Sequence, residues 1–135
     1  MSIELDHLGI AVRSIDDALR FYEQLLGMPI THRETVQIER VEVAMLPFDP
    51  AAPTARIELL EASENDSTIA QFIGKRGPGL HHIALRVDDL AAVLDRLQAA
   101  GIAPLNEPRR GAGGHTYVFV HPSATGGVLL ELIQK

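Results

Sequence analysis

The sequence predicts an α+β protein built from a duplicated strand–helix–three-strand unit. Three observations carry that prediction. The stretch Leu5-Asp6-His7-Leu8-Gly9-Ile10-Ala11-Val12 returns as Leu80-His81-His82-Ile83-Ala84-Leu85-Arg86-Val87, at an offset of 75 residues, which lays His7 on His82. A second pair, Ile57-Glu58-Leu59-Leu60 and Leu130-Glu131-Leu132-Ile133, follows near the end of each half. Each half also carries one segment of helical period among short apolar runs, and antiparallel strands with one helix per unit belong to the α+β class. A half of roughly 65 residues buries little surface alone. The expectation is therefore one domain over residues 1–135, with module one near 3–62, a linker helix near 63–79 and module two near 80–134.

The elements follow in order. Residues 3–12 read as a strand. Ser14 then offers a capping hydroxyl, and Asp17 suits the positive end of a helix dipole. Ile15, Ala18, Leu19, Tyr22, Leu25 and Leu26 recur at helical spacing and predict one apolar face; Gly27 and Pro29 end the helix. Strands are expected near 30–36, 41–47 and 55–62, with a turn at Asp49-Pro50-Ala51-Ala52-Pro53 because two prolines cannot serve a central strand. A short helix over 67–76, with Ser67 or Asp66 as cap and Ile69, Phe72 and Ile73 on one side, ends at Gly77-Pro78-Gly79. The pattern then restarts with a strand over 80–88. Asp89 caps a helix with Leu90, Val93, Leu94 and Leu97 on its apolar face, and Gly101 closes it. Strands are expected near 102–105, 116–121 and 127–134, with Arg109-Arg110-Gly111-Ala112-Gly113-Gly114 as a flexible loop.

Composition narrows the function. A net charge of −6 argues against nucleic acid as a partner, since phosphate binding needs a basic face. No apolar run is long enough to span a membrane, and Met1-Ser2-Ile3-Glu4-Leu5 lacks the basic start of a signal peptide, so a cytoplasmic protein is expected. With no cysteine, any metal must be held by imidazole, carboxylate, amide or water.

His7 and His82 hold matched positions in the first strand of each half, and Glu58 and Glu131 sit in apolar runs. Alternation puts His7 on one face with Leu5 and Gly9, and His82 with Leu80 and Ala84. A lone strand histidine is more often a satisfied polar residue than a ligand, and a lone Glu between leucines is commonly the outward residue of an amphipathic strand. Two of each at matched positions of a repeat are harder to explain that way, and a buried carboxylate needs a partner or a metal. Two imidazoles with one or two carboxylates and no sulfur suit Co2+, Ni2+, Mn2+, Fe2+ or Zn2+ with water completing the shell. His81 points away and reads as structural, His32 as a surface residue, and His121-Pro122 as the close of a strand at the cleft rim.

At these residues the chain resembles the vicinal oxygen chelate superfamily and, within it, the methylmalonyl-CoA epimerases. The resemblance rests on Asp6-His7-Leu8-Gly9-Ile10-Ala11-Val12, Ile57-Glu58-Leu59-Leu60-Glu61, Asp66-Ser67-Thr68-Ile69-Ala70, Gly79-Leu80-His81-His82-Ile83-Ala84 and His121-Pro122 through Gly126-Gly127-Val128-Leu129-Leu130-Glu131-Leu132. It implies two βαβββ modules forming a cupped mixed sheet around a metal held by His7, Glu58, His82 and Glu131. The cofactor implied is one divalent ion, Co2+ ahead of Ni2+, Mn2+ or Zn2+. The implied activity is interconversion of (2R)- and (2S)-methylmalonyl-CoA through proton transfer at C2, with Glu131 and Glu58 as catalytic carboxylates. Some bacterial epimerases place a further Glu on the third strand, where this chain has Val43, and Glu42 faces the other way. An acyl-CoA needs positive charge at its phosphates. Arg109 and Arg110, with Lys75-Arg76, are the paired basic residues, and Gly111, Gly113, Gly114 and His121 are candidate substrate contacts beside the first pair. A homodimer is expected from the exposed strand edges of such modules. The alternatives are a lactoylglutathione lyase of the glyoxalase I type, a ring-cleaving dioxygenase, and a metal-free binding protein of the same fold.

Overall fold

The computed structural model describes residues 2–52, 55–111 and 114–135. The chain forms two compact units, a central one of His7–His81 and a terminal one of Met1–Asp6 with His82–Lys135. Eight strands and three α-helices are present among the described residues: β1 Ile3–Ala11, α1 Ile15–Leu19, β2 His32–Val36, β3 Val41–Pro47, β4 Arg56–Ala62, α2 Thr68–Arg76, β5 Gly79–Val87, α3 Leu90–Ala99, β6 Arg109–Arg110, β7 Thr116–Val120 and β8 Leu130–Gln134. The unit boundaries fall inside β1 and β5.

In the central unit the strands lie in the order β2-β3-β4-β1. The β2–β3 and β3–β4 pairs are antiparallel and β4–β1 is parallel. The outer face of this sheet carries α1. The Ser14 hydroxyl accepts the Asp17 backbone N–H at 3.1 Å, as the capping residues predict. Ile15, Leu19, Ala44, Leu46, Ile57 and Leu59 form the core there, with Ile10, Val12 and Tyr22 packed against it. Full burial of each larger side chain contributes about 1.5–3 kcal/mol. On the rim, Arg33 bonds Glu42 at 2.8 Å and Asp16 at 2.9 Å, and these carboxylates, Glu42 foremost, raise its pKa. α2 is capped by Ser67, whose hydroxyl accepts the Ala70 N–H at 3.2 Å. The Asp49 turn forms, with Ala52 N–H donating to the Asp49 carbonyl; Pro53 lies outside the described residues.

The predicted apolar face of the first helix holds from Ile15 through Tyr22 and fails at Leu25 and Leu26. From Arg20 to Leu25 the backbone winds as a π-helix. A π turn is wider than an α turn, so each later residue lags in angle around the axis. Leu25 and Leu26 rotate off the packed face and stand 75% and 58% exposed. Gly27, at φ +75°, then takes the left-handed conformation that ends the helix.

The terminal unit orders its strands β5-β8-β7-β6, with β5–β8 parallel and the other pairs antiparallel. Asp89 caps α3 by accepting the Ala92 N–H at 3.1 Å. Leu90, Val87, Val118, Val120 and Leu132 form its core, joined by Val93, Leu94 and Leu97 as the periodicity predicts. Two expectations are corrected here. No strand forms at 102–105. Pro104 cannot donate to a ladder, and this segment is tied instead by Leu105 N–H to the Phe119 carbonyl and by the Asn106 side chain, which accepts the Phe119 N–H at 2.8 Å. Arg109 and Arg110, expected in a loop, form the short strand β6 across from Tyr117 and Thr116. No helix among the described residues is long and apolar enough to cross a membrane.

Candidate metal centre

Each unit holds one buried imidazole–carboxylate pair, and the two pairs are built alike. In the central unit β1 and β4 run parallel, with Gly9 beside Glu58. Paired residues on neighbouring strands share a face and alternate residues return to it, so Glu58 lies on the face of Gly9 and His7. His7 Nε2 stands 3.4 Å from Glu58 Oε1, with 2% and 7% of the side chains exposed. In the terminal unit β5 and β8 run parallel, with Ala84 beside Glu131. His82 Nε2 stands 3.1 Å from Glu131 Oε1, at 3% and 10% exposure. In both units the carboxylate is therefore registered opposite the residue two beyond the histidine. The repeat seen in the sequence is a repeat of register.

The neighbours differ between the units. Across from Glu58 on β3 is Met45, and Val43 shares its face. Across from Glu131 on β7 is Phe119, and Tyr117 shares its face. Phe119 meets the His82 ring edge-on at 5.4 Å, and Tyr117 meets Phe119 at 5.6 Å. This aromatic wall was not among the residues singled out from the sequence. The signal was available in the two-residue alternation of Tyr117 and Phe119 against Glu131. Glu42 pairs in register with Glu61 on the opposite face, as its position beside Val43 predicts.

Two imidazoles and two carboxylates are borderline and hard donors, free of sulfur, and suit a divalent ion. They are buried, and the small residues Gly9 and Ala84 beside the carboxylates place no bulk against them. His7, Glu58 and His82 are a donor set that could hold a metal ion. The residues present thus fit the group.

Arg109 and Arg110 are exposed on β6, and Arg110 Nε donates to the Gly114 carbonyl at 3.1 Å. Gly111 packs under Tyr117: a Cβ there would stand 2.9 Å from the ring, closer than such atoms approach. Gly114 has φ +76° and donates to the Gly111 carbonyl. Gly113 lies outside the described residues. His121 caps a 3-10 turn over Pro122–Ala124, its Nδ1 accepting the Ser123 N–H at 2.9 Å. His81 stacks edge-on to Phe72 at 4.9 Å. Lys75 and Arg76 occupy the last turn of α2, where cations suit the helix dipole.

A profile for the Glyoxalase/Bleomycin resistance protein/Dioxygenase superfamily matches residues 6–119. An uncharacterised Bacillus subtilis protein, YqjC, is 41% identical over 131 residues, covering 96% of this chain and 91% of its own. The human mitochondrial methylmalonyl-CoA epimerase is 34% identical, over 96% of this chain and 73% of its own. Among solved structures, a methylmalonyl-CoA epimerase in complex with methylmalonyl-CoA and ammonium superposes with a TM-score of 0.91 at 33% identity, covering 100% of this chain and 96% of that one.

Proposed function

The chain belongs to the glyoxalase/bleomycin resistance protein/dioxygenase superfamily and has its vicinal oxygen chelate fold, and from that premise we propose that it is a methylmalonyl-CoA epimerase. The observation that carries the reading is the matched pair of buried His/Glu sets, His7 with Glu58 and His82 with Glu131. The four residues would hold one divalent ion, Co2+ ahead of Ni2+, Mn2+ or Zn2+. When bound, the ion supplies Lewis acidity that stabilises negative charge on substrate oxygens.

The substrate carbon C2 lies between a thioester and a carboxylate. Removing its proton leaves the electron pair delocalised into the thioester carbonyl, and returning a proton to the other face inverts the centre. The chain must therefore supply groups that take and give a proton, each contributing about 10²–10⁴-fold when well placed. Glu131 is assigned the first of these roles. Its carboxylate is held by His82 at 3.1 Å and backed by the ring of Phe119 across the strand pair. Glu58 is the candidate for the second, although ligation lowers the basicity of a carboxylate. The aromatic pair Tyr117 and Phe119 lies on the face of Glu131. Arg109 and Arg110, exposed on β6, attract the CoA phosphates, while Gly111, Gly114 and His121 border the acyl group. The protein works as a single domain, as a cytoplasmic homodimer.

The test is mass spectrometry of methylmalonyl-CoA incubated in D2O with protein loaded in turn with Co2+ and the other ions. Uptake of one deuterium at C2, abolished by a chelator and restored by metal, is expected. No uptake with any ion, in protein shown to bind one, sinks the epimerase reading, and methylglyoxal with glutathione becomes the next substrate to try.

A further inference from the structure

Strand β7 carries two kinds of side chain. Val118 and Val120 pack in the core beneath α3, whereas Phe119 lies on the other face of the strand and is only half-buried. Its neighbours there are the imidazole–carboxylate pair. Phe119 is registered across from Glu131, and its ring meets the His82 ring edge-on at 5.4 Å and 90°. Aromatic centroids roughly 4.5–7 Å apart in that arrangement are in attractive contact. Rotation of the imidazole about its Cβ–Cγ bond breaks the contact, so the Phe119 ring bears on the direction in which His82 Nε2 points. Packing alone does not call for an aromatic ring at this place. In the central unit Met45 stands across from Glu58, and its flexible side chain fills space without fixing a plane.

Phe119 is itself held from outside the sheet. β6 is two residues long and pairs with Thr116 and Tyr117, so among the described residues no strand pairs with Phe119 on that side. Asn106 takes the place of one. Its Oδ1 accepts the Phe119 N–H at 2.8 Å, and its Nδ2 donates to the Glu107 carbonyl at 2.8 Å and the Tyr117 carbonyl at 3.4 Å. The Leu105 N–H donates to the Phe119 carbonyl at 2.8 Å. Both backbone groups of Phe119 thus point away from β8. In an antiparallel ladder this makes Phe119 and Glu131 a non-hydrogen-bonded pair, the closer of the two kinds, with Cα atoms about 4.5 Å apart. Asn106 therefore keeps Phe119 close against the strand of Glu131, with its ring on the imidazole of His82.

We infer that Asn106, acting through the ring of Phe119, is a positioning residue that sets the orientation of the His82 imidazole toward a bound metal ion. The inference rests on the reading of His82 as a metal ligand. Neither Asn106 nor Phe119 takes or gives a proton. Partners behind a ligand imidazole keep it aimed at the ion, and their loss typically costs about 10–100-fold in metal affinity. All of these residues belong to the terminal unit.

The experiment titrates the wild-type protein, Asn106→Ala, Asn106→Asp, Phe119→Leu and Asp89→Ala with Co2+, reading the visible absorption of the bound ion and its Kd beside a thermal melt. Asn106→Ala and Phe119→Leu should bind Co2+ about 10–100-fold more weakly and displace its absorption bands. Asn106→Asp keeps an oxygen that accepts the Phe119 N–H, and should return Kd to within about threefold of wild type with wild-type bands. Asp89→Ala removes the cap of α3 in the same unit, where the side chain accepts the Ala92 N–H. It should lower the melting temperature and leave Kd and bands unchanged, which separates positioning from lost stability. Phe119→Leu leaves the backbone bonds of β7 in place and decides the matter if Asn106→Ala does not fold. Wild-type Kd and bands in folded Asn106→Ala or Phe119→Leu, no recovery in Asn106→Asp, or an equal weakening in Asp89→Ala overturns the assignment. A wild-type protein that takes up no Co2+ is a distinct result: it removes the metal reading of His82 together with the assignment.

Discussion

Replacing Glu131 by Gln separates its chemical role from its structural one. The amide has nearly the shape of the carboxylate, so it opens no cavity at a position that is 7% exposed, and it can still meet His82 across the 3.1 Å contact. The packing beside Ala84 and Phe119 is unchanged. Stability should therefore change by no more than about 1 kcal/mol, the net worth of one exchanged hydrogen bond. What is lost is the capacity to accept a proton. A placed acid/base group contributes about 10²–10⁴-fold, which corresponds to about 2.7–5.5 kcal/mol in the barrier. Glu131→Gln should therefore melt with the wild-type protein yet interconvert the two epimers at least about 100-fold more slowly, with kcat falling and KM little changed. The assay is the rate of interconversion of the purified epimers at saturating metal beside a thermal melt. A variant that interconverts them within about threefold of the wild-type rate refutes the proton-transfer role.

Other outcomes follow from the same structure. His82→Ala removes the imidazole from a buried carboxylate and should lower stability by about 3 kcal/mol. It should also abolish the metal-linked rise in melting temperature, which in the wild-type protein corresponds to about 2.7 kcal/mol at a metal concentration of 100 times Kd; both effects are read by melts with and without chelator. Ser67→Ala deletes the cap of α2, whose hydroxyl accepts the Ala70 N–H, and should cost about 1 kcal/mol in denaturant unfolding with C2 exchange intact. Leu59→Ala, at a fully buried core position, should cost about 2–5 kcal/mol by the same measurement.

Much of this architecture was legible in the sequence, for identifiable reasons. The duplicated His-containing strand and the Glu-containing strand are spaced alike, and the parallel registers Gly9 with Glu58 and Ala84 with Glu131 turn that likeness into geometry. Ser14, Ser67 and Asp89 cap the helices they predict, because a short polar side chain before an apolar period has little else to do. The misses also have physical causes. Leu25 and Leu26 carry a sound α-helical period, but the backbone widens into a π turn before them, and no residue type announces that. The stretch 102–105 has strand-like apolar residues, yet Pro104 has no N–H to give a ladder, and the Leu105 N–H and the side chain of Asn106 satisfy the β7 backbone in another way. The glycines that follow Arg109 and Arg110 give the segment a loop composition, although the backbone of the two arginines pairs with β7.

The central claim is that His7 with Glu58 and His82 with Glu131 serve one metal ion. The measurement that meets it most directly is metal content, by inductively coupled plasma mass spectrometry, after loading with Co2+ and exhaustive dialysis. The wild-type chain should retain one ion, and His7→Ala and His82→Ala should each lose it while remaining folded. Two ions per chain, or full retention in either variant, would contradict the claim and leave the two pairs as separate polar contacts of their own strands.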